Sequence, residues 1–339
     1  MINYGKQGGV KTRSFWLRMQ ALAGVAAFAL FMRWGWVEHR EPFYTYFYLF
    51  AWASFLWVID RILAARTGKN PLQHLGHFLW LFFVSTTFWL IFEVLNFRLR
   101  NWAYIGVPVE RWLRWPGYAL SFATVIPGIL MLRKLIDSYW QTKNPLPPGG
   151  GGSGWGGSPP SSPSPIKGEG TFGYVSSRIY TGWAFTLGLG MMLLPLVWPR
   201  FFFPLIWGGL FFLLEPWVQR AHGHSLLRDW KARRWRQTGT LVAAGLVCGL
   251  FWEGCNFGAG SKWIYTLPYW NFGRLFEMPA LGFLGFLPFA LEVHAYHQAA
   301  VLYWRRKRFN QRFLLILGVA LFWIAAFLGI DHWTVAGWR

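Results

Sequence analysis

The sequence predicts an all-α, polytopic transmembrane bundle of about nine helices, arranged as two parallel four-helix repeats followed by one C-terminal helix. Three observations carry this. Of the 339 residues 54% are hydrophobic and only 14% charged, a balance that soluble domains do not show. Apolar runs near twenty residues recur along most of the chain, the length a bilayer demands of a helix. The chain also repeats itself about a low-complexity segment at its middle.

Spans are expected at about 16–33, 43–63, 77–97, 116–135, 179–198, 201–217, 239–257, 280–303 and 312–330. The formal net charge of +20 raises a nucleic-acid partner, but its distribution argues against one. Most of the 33 basic residues fall in alternate connections: Lys6 to Arg18, Arg61 to Lys69, the central linker, Arg220 to Arg236, and Arg305 to Arg312. That asymmetry is a topology signal, and it puts the N-terminus in the cytoplasm and the C-terminus in the periplasm of a bacterial inner membrane. The clusters Lys231 to Arg236 and Arg305 to Arg308 are expected on anionic headgroups. The first span runs on into Arg33, Trp34 and Trp36 and reads as an uncleaved anchor. Cys248 and Cys255 lie in one span and define no disulfide framework.

Residues 144–172 are the expected linker, because a Pro/Gly/Ser tract cannot bury a core. It separates a first repeat over 1–143 from a second over 173–310, with 311–339 as the ninth helix and C-terminus. Trp52 and Asp60 in the first half match Trp207 and Glu215 in the second. Phe92-Glu93-Val94-Leu95-Asn96 matches Trp252-Glu253-Gly254-Cys255-Asn256. Each is followed by Trp-x-Tyr, as Trp102-Ala103-Tyr104 and Trp263-Ile264-Tyr265, and then by Pro108 and Pro268. An even number of spans per repeat makes the halves parallel, related about an axis near the membrane normal.

The candidate site follows from that repeat. Glu and Asn three residues apart share one helix face, so Glu93 with Asn96 and Glu253 with Asn256 each pair a carboxylate with an amide that hydrogen-bonds it or a substrate. An ionisable residue inside a span is costly and is a functional-site hypothesis by default. The competing reading is interhelical glue, and for Trp102, Tyr104, Trp263 and Tyr265 it is the aromatic belt at the membrane surface. The second half adds Glu277, at the entrance to the eighth span, and Glu292 within it. Glu292, His294 and His297 do not share one helix face, so no metal site is expected. Asp331-His332 reads as a helix end at the surface, and Asp60 and Glu215 as structural acids. No phosphate loop, nucleophile elbow or zinc-protease helix is present, and no cofactor is named by any motif.

Trp252-Glu253, Trp263-Ile264-Tyr265 and Glu277-Met278-Pro279, with Phe92-Glu93 and Trp102-Ala103-Tyr104 as first-half copies, resemble the duplicated integral-membrane lycopene cyclases of carotenoid metabolism. The whole chain also looks like a bacterial polytopic membrane family to which no activity attaches. The cyclase resemblance implies an isoprenoid ligand, with Glu253 as proton donor, Asn256 and Glu93 orienting or re-protonating it, and Trp263 and Tyr265 lining a cavity open to the membrane. Such chemistry requires a carboxylic acid held neutral by apolar surroundings and aromatic faces to stabilise a carbocation. Three classes stay open: a lipid- or isoprenoid-modifying enzyme, a structural or pigment-binding subunit with membrane-protein partners, and a proton-coupled transporter or lipid flippase. Membrane lipids are partners under all three.

Overall fold

The computed structural model describes residues 4–68, 72, 74–143, 171–269 and 272–335. Of the expected linker, 144–170 lie outside the described residues, and Thr171 and Phe172 already belong to a helix. The protein is an all-α bundle, and among the described residues seven helical segments are long and apolar enough to cross a membrane. It is an integral, multi-pass membrane protein.

Helix α1 (Tyr4–Phe31) continues through a π-helical turn (Met32–Val37) and pairs with α2 (Phe47–Thr67). α3 spans Leu75–Leu99, and the next crossing is split at Thr124 into α4 (Arg111–Ala123) and α5 (Val125–Lys143). In the second half α6 (Thr171–Val197) packs on α8 (Ile206–Arg220), after the single turn α7 (Pro199–Phe202) and a 3-10 turn. The short α9 (Leu226–Lys231) precedes α10 (Arg236–Phe257), and α11 (Phe286–Arg305) and α12 (Phe309–Trp333) complete the chain. The seven apolar segments include neither α6, whose apolar stretch is the shorter Gly182–Val197, nor α11, which carries Glu292, His294 and His297.

Helices are the natural choice for these sequences, because a bilayer offers no hydrogen bonds and a helix satisfies its own backbone. Phe313, Leu314, Leu317, Leu321 and Leu328 of α12 are exposed, as lipid-facing positions should be. Where helices must approach closely, small residues permit it. A Cβ on Gly188 of α6 would fall 2.8 Å from the carbonyl carbon of Phe212 and 2.9 Å from the Gly209 oxygen, both in α8.

Four short strands interrupt the helical pattern. β1 (Trp102–Ile105) follows α3 and β2 (Lys262–Tyr265) follows α10. They pair antiparallel, Trp102 opposite Tyr265, Ala103 opposite Ile264 and Tyr104 opposite Trp263. In repeat terms Trp102 matches Trp263 and Tyr104 matches Tyr265, so the local two-fold axis of the ribbon passes through the Ala103–Ile264 pair. The left-handed residue Arg100 (φ 54°) ends α3 and turns the chain into β1, its N–H donating to the Asn96 carbonyl at 2.8 Å. The Gly260 N–H donates to the Tyr44 carbonyl at 2.9 Å, and the Tyr104 N–H to the Thr334 carbonyl at 2.6 Å. The C-terminal ends of α3, α10 and α12 and the start of α2 therefore meet at one end of the bundle, the strand end. β3 (Arg274–Leu275) and β4 (Met278–Pro279) form a hairpin at the same end.

At the opposite end Asp60 and Glu215 hold their following loops. Asp60 accepts the Leu72 N–H at 3.0 Å and pairs with Arg61; Glu215 accepts Ser225 Oγ–H at 2.7 Å and the Leu226 N–H at 3.1 Å. Two readings of the sequence need correction. The eighth span does not begin at residue 280: Ala280–Gly285 is a 3-10 helix, and α11 starts only at Phe286. Asp331 is no surface helix end, being 2% exposed and bonded to the buried Arg114 of the first half.

Candidate functional site

The strand end is built outward from the two Glu-x-x-Asn pairs. Asn96 sits in the last turn of α3, where helix carbonyls lack intrahelical partners and the chain must reverse. Its Oδ1 accepts the N–H of Asn101 (2.8 Å) and of Trp102 (3.4 Å), and its Nδ2 donates to the Trp102 carbonyl (2.8 Å). Asn256 does the same for Trp263, accepting its N–H at 2.9 Å and donating to its carbonyl at 2.8 Å. Each amide is thus a clip that fixes its own Trp-x-Tyr strand, and neither amide bonds the neighbouring glutamate.

The glutamates receive the side chains of the strands so positioned. Glu93 Oε1 accepts from Trp89 Nε1 (2.8 Å), Trp102 Nε1 (3.2 Å) and Tyr104 OH (2.5 Å). Glu253 Oε1 accepts from Tyr265 OH (2.7 Å) and Trp263 Nε1 (3.3 Å). Both glutamates are buried, and in both the second oxygen, Oε2, has no hydrogen-bond partner among the described residues. Trp102 and Tyr104 are themselves 5% and 7% exposed, so the membrane-surface belt does not describe them. Burial, then the adjacent carboxylate, pushes the phenols of Tyr104 and Tyr265 well above the ordinary tyrosine range, which keeps both as donors.

Beside the two-stranded ribbon, and walled by the helices around it, lies a cavity of about 480 Å³. Its wall includes Trp102, Tyr104, Trp207, Trp252, Trp263 and Phe289, with Glu253 as the carboxylate exposed to it. Glu93 is not among the lining residues; it stands behind Trp89, Trp102 and Tyr104, which are. Aromatic contacts across the halves brace this wall in matched pairs. Trp207 stacks on Phe92 with centroids 5.2 Å apart, and its repeat counterpart Trp52 lies 5.2 Å from Trp252.

The remaining expected site residues sit elsewhere. Glu277 lies at the hairpin turn and bonds Lys262 Nζ at 2.5 Å; Lys262 lines the cavity. Glu292 is fully buried in α11, its Oε1 accepting the Leu210 N–H at 2.9 Å, and it is not part of the cavity wall. His294 Nε2 donates to the His224 carbonyl at 3.0 Å. Among the described residues no three His, Cys, Asp or Glu side chains converge in a metal-binding group.

Three residues of the site carry no obvious mark in the sequence. Trp89 lies one helical turn before Glu93, an i,i+4 relation that offers it as a donor. Arg114 and Asp331 form an ion pair across the chain, Nε to Oδ1 2.8 Å and Nη2 to Oδ2 2.7 Å. Arg114 also lines the cavity and donates from Nη1 to the carbonyls of Pro108 and Val109. Arg114 reads in the sequence as one of two basic residues, with Arg111, just before a span, and nothing in the sequence indicates its partner.

Compared with protein-family models, curated proteins and solved structures, the chain matches none.

Proposed function

We propose that this protein is a membrane enzyme that protonates an acyclic isoprenoid or polyene held in the aromatic cavity, with Glu253 as the acid. The observation that carries the reading is a single carboxyl group, among the described residues, on a wall rich in aromatic rings that also carries Lys262 and Arg114, with Oε1 held by two donors and Oε2 unpartnered. In the carboxylic acid form, Oε2 carries the proton. Its transfer forms a C–H bond, breaks the alkene π bond and leaves a carbocation, which the faces of Trp207, Trp252, Trp263 and Phe289 stabilise. The N–H of Trp263 and the O–H of Tyr265 stabilise the carboxylate left behind. Return of a proton from a neighbouring carbon restores the acid and closes the cycle as an isomerisation or cyclisation, with no oxidant or reductant required.

Asn256 is a positioning residue in this scheme, because it acts through the Trp263 main chain. Glu93 orients Trp102 and Tyr104 on the facing wall. The basic distribution puts the strand end, and so the cavity, at the periplasmic side of a bacterial inner membrane. The resemblance to lycopene cyclases supports the same substrate class.

The test is incubation of the purified full chain with lycopene in heavy water, followed by mass spectrometry of the extracted lipid. Wild type is expected to incorporate solvent deuterium and Glu253→Gln to incorporate none, while Glu93→Gln retains part of the activity. Incorporation by Glu253→Gln at the wild-type rate removes Glu253 from the mechanism. A second reading, a structural subunit, is favoured by one observation: Glu93 is tied by three donors and faces no cavity. Under it, neither variant alters any lipid, and stable partner subunits accompany the purified chain.

A further inference from the structure

A second, smaller cavity of about 310 Å³ opens at the end of the bundle away from the strands, between α3, α8, α11 and α12. Its wall is apolar and includes Trp80, Trp217, Tyr296, Ala300, Trp304 and Leu315. Three cations stand next to it, each lying over an aromatic ring of its wall. The Arg306 guanidinium is 5.7 Å from the Trp217 ring, that of Arg312 is 5.2 Å from Trp304, and Lys307 Nζ is 4.4 Å from Tyr303, which also lines the groove. None of the three is paired with a carboxylate among the described residues. Trp80 Nε1 in this wall and Arg312 Nε beside Trp304 are buried and have no acceptor among the described residues.

We propose that this groove is a binding site for one anionic glycerophospholipid, an acyl chain lying along the aromatic and aliphatic wall and the phosphate held by Arg306, Lys307 and Arg312. The composition argues for that occupant over a second protein helix. An apolar helix would cover the wall but would leave three cations and two buried N–H groups without acceptors, a cost of burial that a phosphodiester and its ester carbonyls remove. The groove also lies at the end where basic residues concentrate, and anionic lipids attract such clusters. The site is separate from the aromatic cavity and does not depend on the function proposed for it.

The experiment uses the full chain reconstituted in phosphatidylcholine nanodiscs containing a minor fraction of phosphatidylglycerol, extracted in mild detergent and weighed by native mass spectrometry. Wild type is expected to retain one phosphatidylglycerol. Arg306→Gln/Arg312→Gln lowers that retention roughly tenfold, and Ala300→Trp, which fills the groove and keeps every cation, lowers it as well. Arg13→Gln/Arg18→Gln, which removes exposed cations of α1, leaves it unchanged. Melting temperatures are read first, and Leu315→Trp replaces Ala300→Trp if the latter falls below wild type. Unchanged retention in the groove-filled variant overturns the proposal, as does equal loss in the α1 control. Displacement of the lipid by free glycerol phosphate overturns it too, since it would show that a headgroup site needs no acyl groove. Co-purification of a protein that excludes phosphatidylglycerol overturns it in favour of a helix partner.

Discussion

The surroundings of Glu93 and Glu253 start from the same sequence pattern and end differently. Glu93 is held by three donors and withdrawn from the cavity; Glu253 is held by two and lines it. The difference begins one helical turn earlier. Trp89 supplies the third donor to Glu93, whereas the matching position before Glu253 is Gly249, and there the Phe286 ring occupies the place a side chain would take. A further divergence follows each strand. In the first half the chain forms α4, whose Arg114 is tied to Asp331 of α12; in the second it forms the β3–β4 hairpin, tied by Lys262 and Glu277. One copy of the pattern is buttressed and the other faces the cavity.

The sharpest way to break this contrast is to cut the buttress. Arg114→Ala removes the buried cation from Asp331, leaving it the more distant and exposed Arg111 at 3.5 Å, and should cost up to about 3–5 kcal/mol. It should appear as a large drop in melting temperature in detergent, and an unchanged melting temperature would mean that α12 does not brace the first half. Next come the clips. Asn96→Ala strands two N–H groups and a carbonyl, and is expected to cost roughly 2–4 kcal/mol; Asn256→Ala strands one of each and should cost less. Denaturant unfolding of the two variants checks the order, and a reversed order would contradict the assigned hydrogen bonds.

Alkaline pH separates the phenols from the rest. The folded state holds Tyr104 and Tyr265 protonated above the ordinary value of 10.0, whereas the unfolded chain releases those protons there. The folded state then binds more protons, so stability falls as pH rises above about 10, by up to about 1.4 kcal/mol per pH unit for each tyrosine, and is unaffected below it. Tyr104→Phe and Tyr265→Phe should each flatten this slope, and a slope indifferent to both would place the titration elsewhere. The smallest effect is expected at the half that faces the cavity. Lys262→Ala removes a partly exposed ion pair worth about 0–1 kcal/mol, so its melting temperature should stay near wild type, in contrast to Arg114→Ala.

Much of the frame was legible in advance. Apolar runs gave the crossing segments, because a span must be long and greasy whatever it packs against. The matched Glu-x-x-Asn and Trp-x-Tyr elements marked the strand end, since repetition of costly residues is visible without coordinates. What those residues do to one another was not legible. The amides read as partners for the carboxylates, yet they bind the main chain of the strands, because the turn after each helix brings Trp102 and Trp263 back beside it. Local departures from helix at Thr124, at the β3–β4 hairpin and over Ala280–Gly285 escaped for a related reason: in these apolar stretches local propensity is weak, and neighbouring elements decide.

By itself, then, the sequence determined that the protein crosses the membrane as a helical bundle and that Asp60 and Glu93-x-x-Asn96 recur as Glu215 and Glu253-x-x-Asn256. Hydrophobic length and repetition are properties of the chain alone. Only the tertiary structure decided which acid meets a cavity, that Arg114 of the first half joins Asp331 near the C-terminus, and that Trp102 and Trp263 belong to one ribbon. Those are contacts between residues far apart in sequence, and their energy depends on distance and burial that no local pattern encodes.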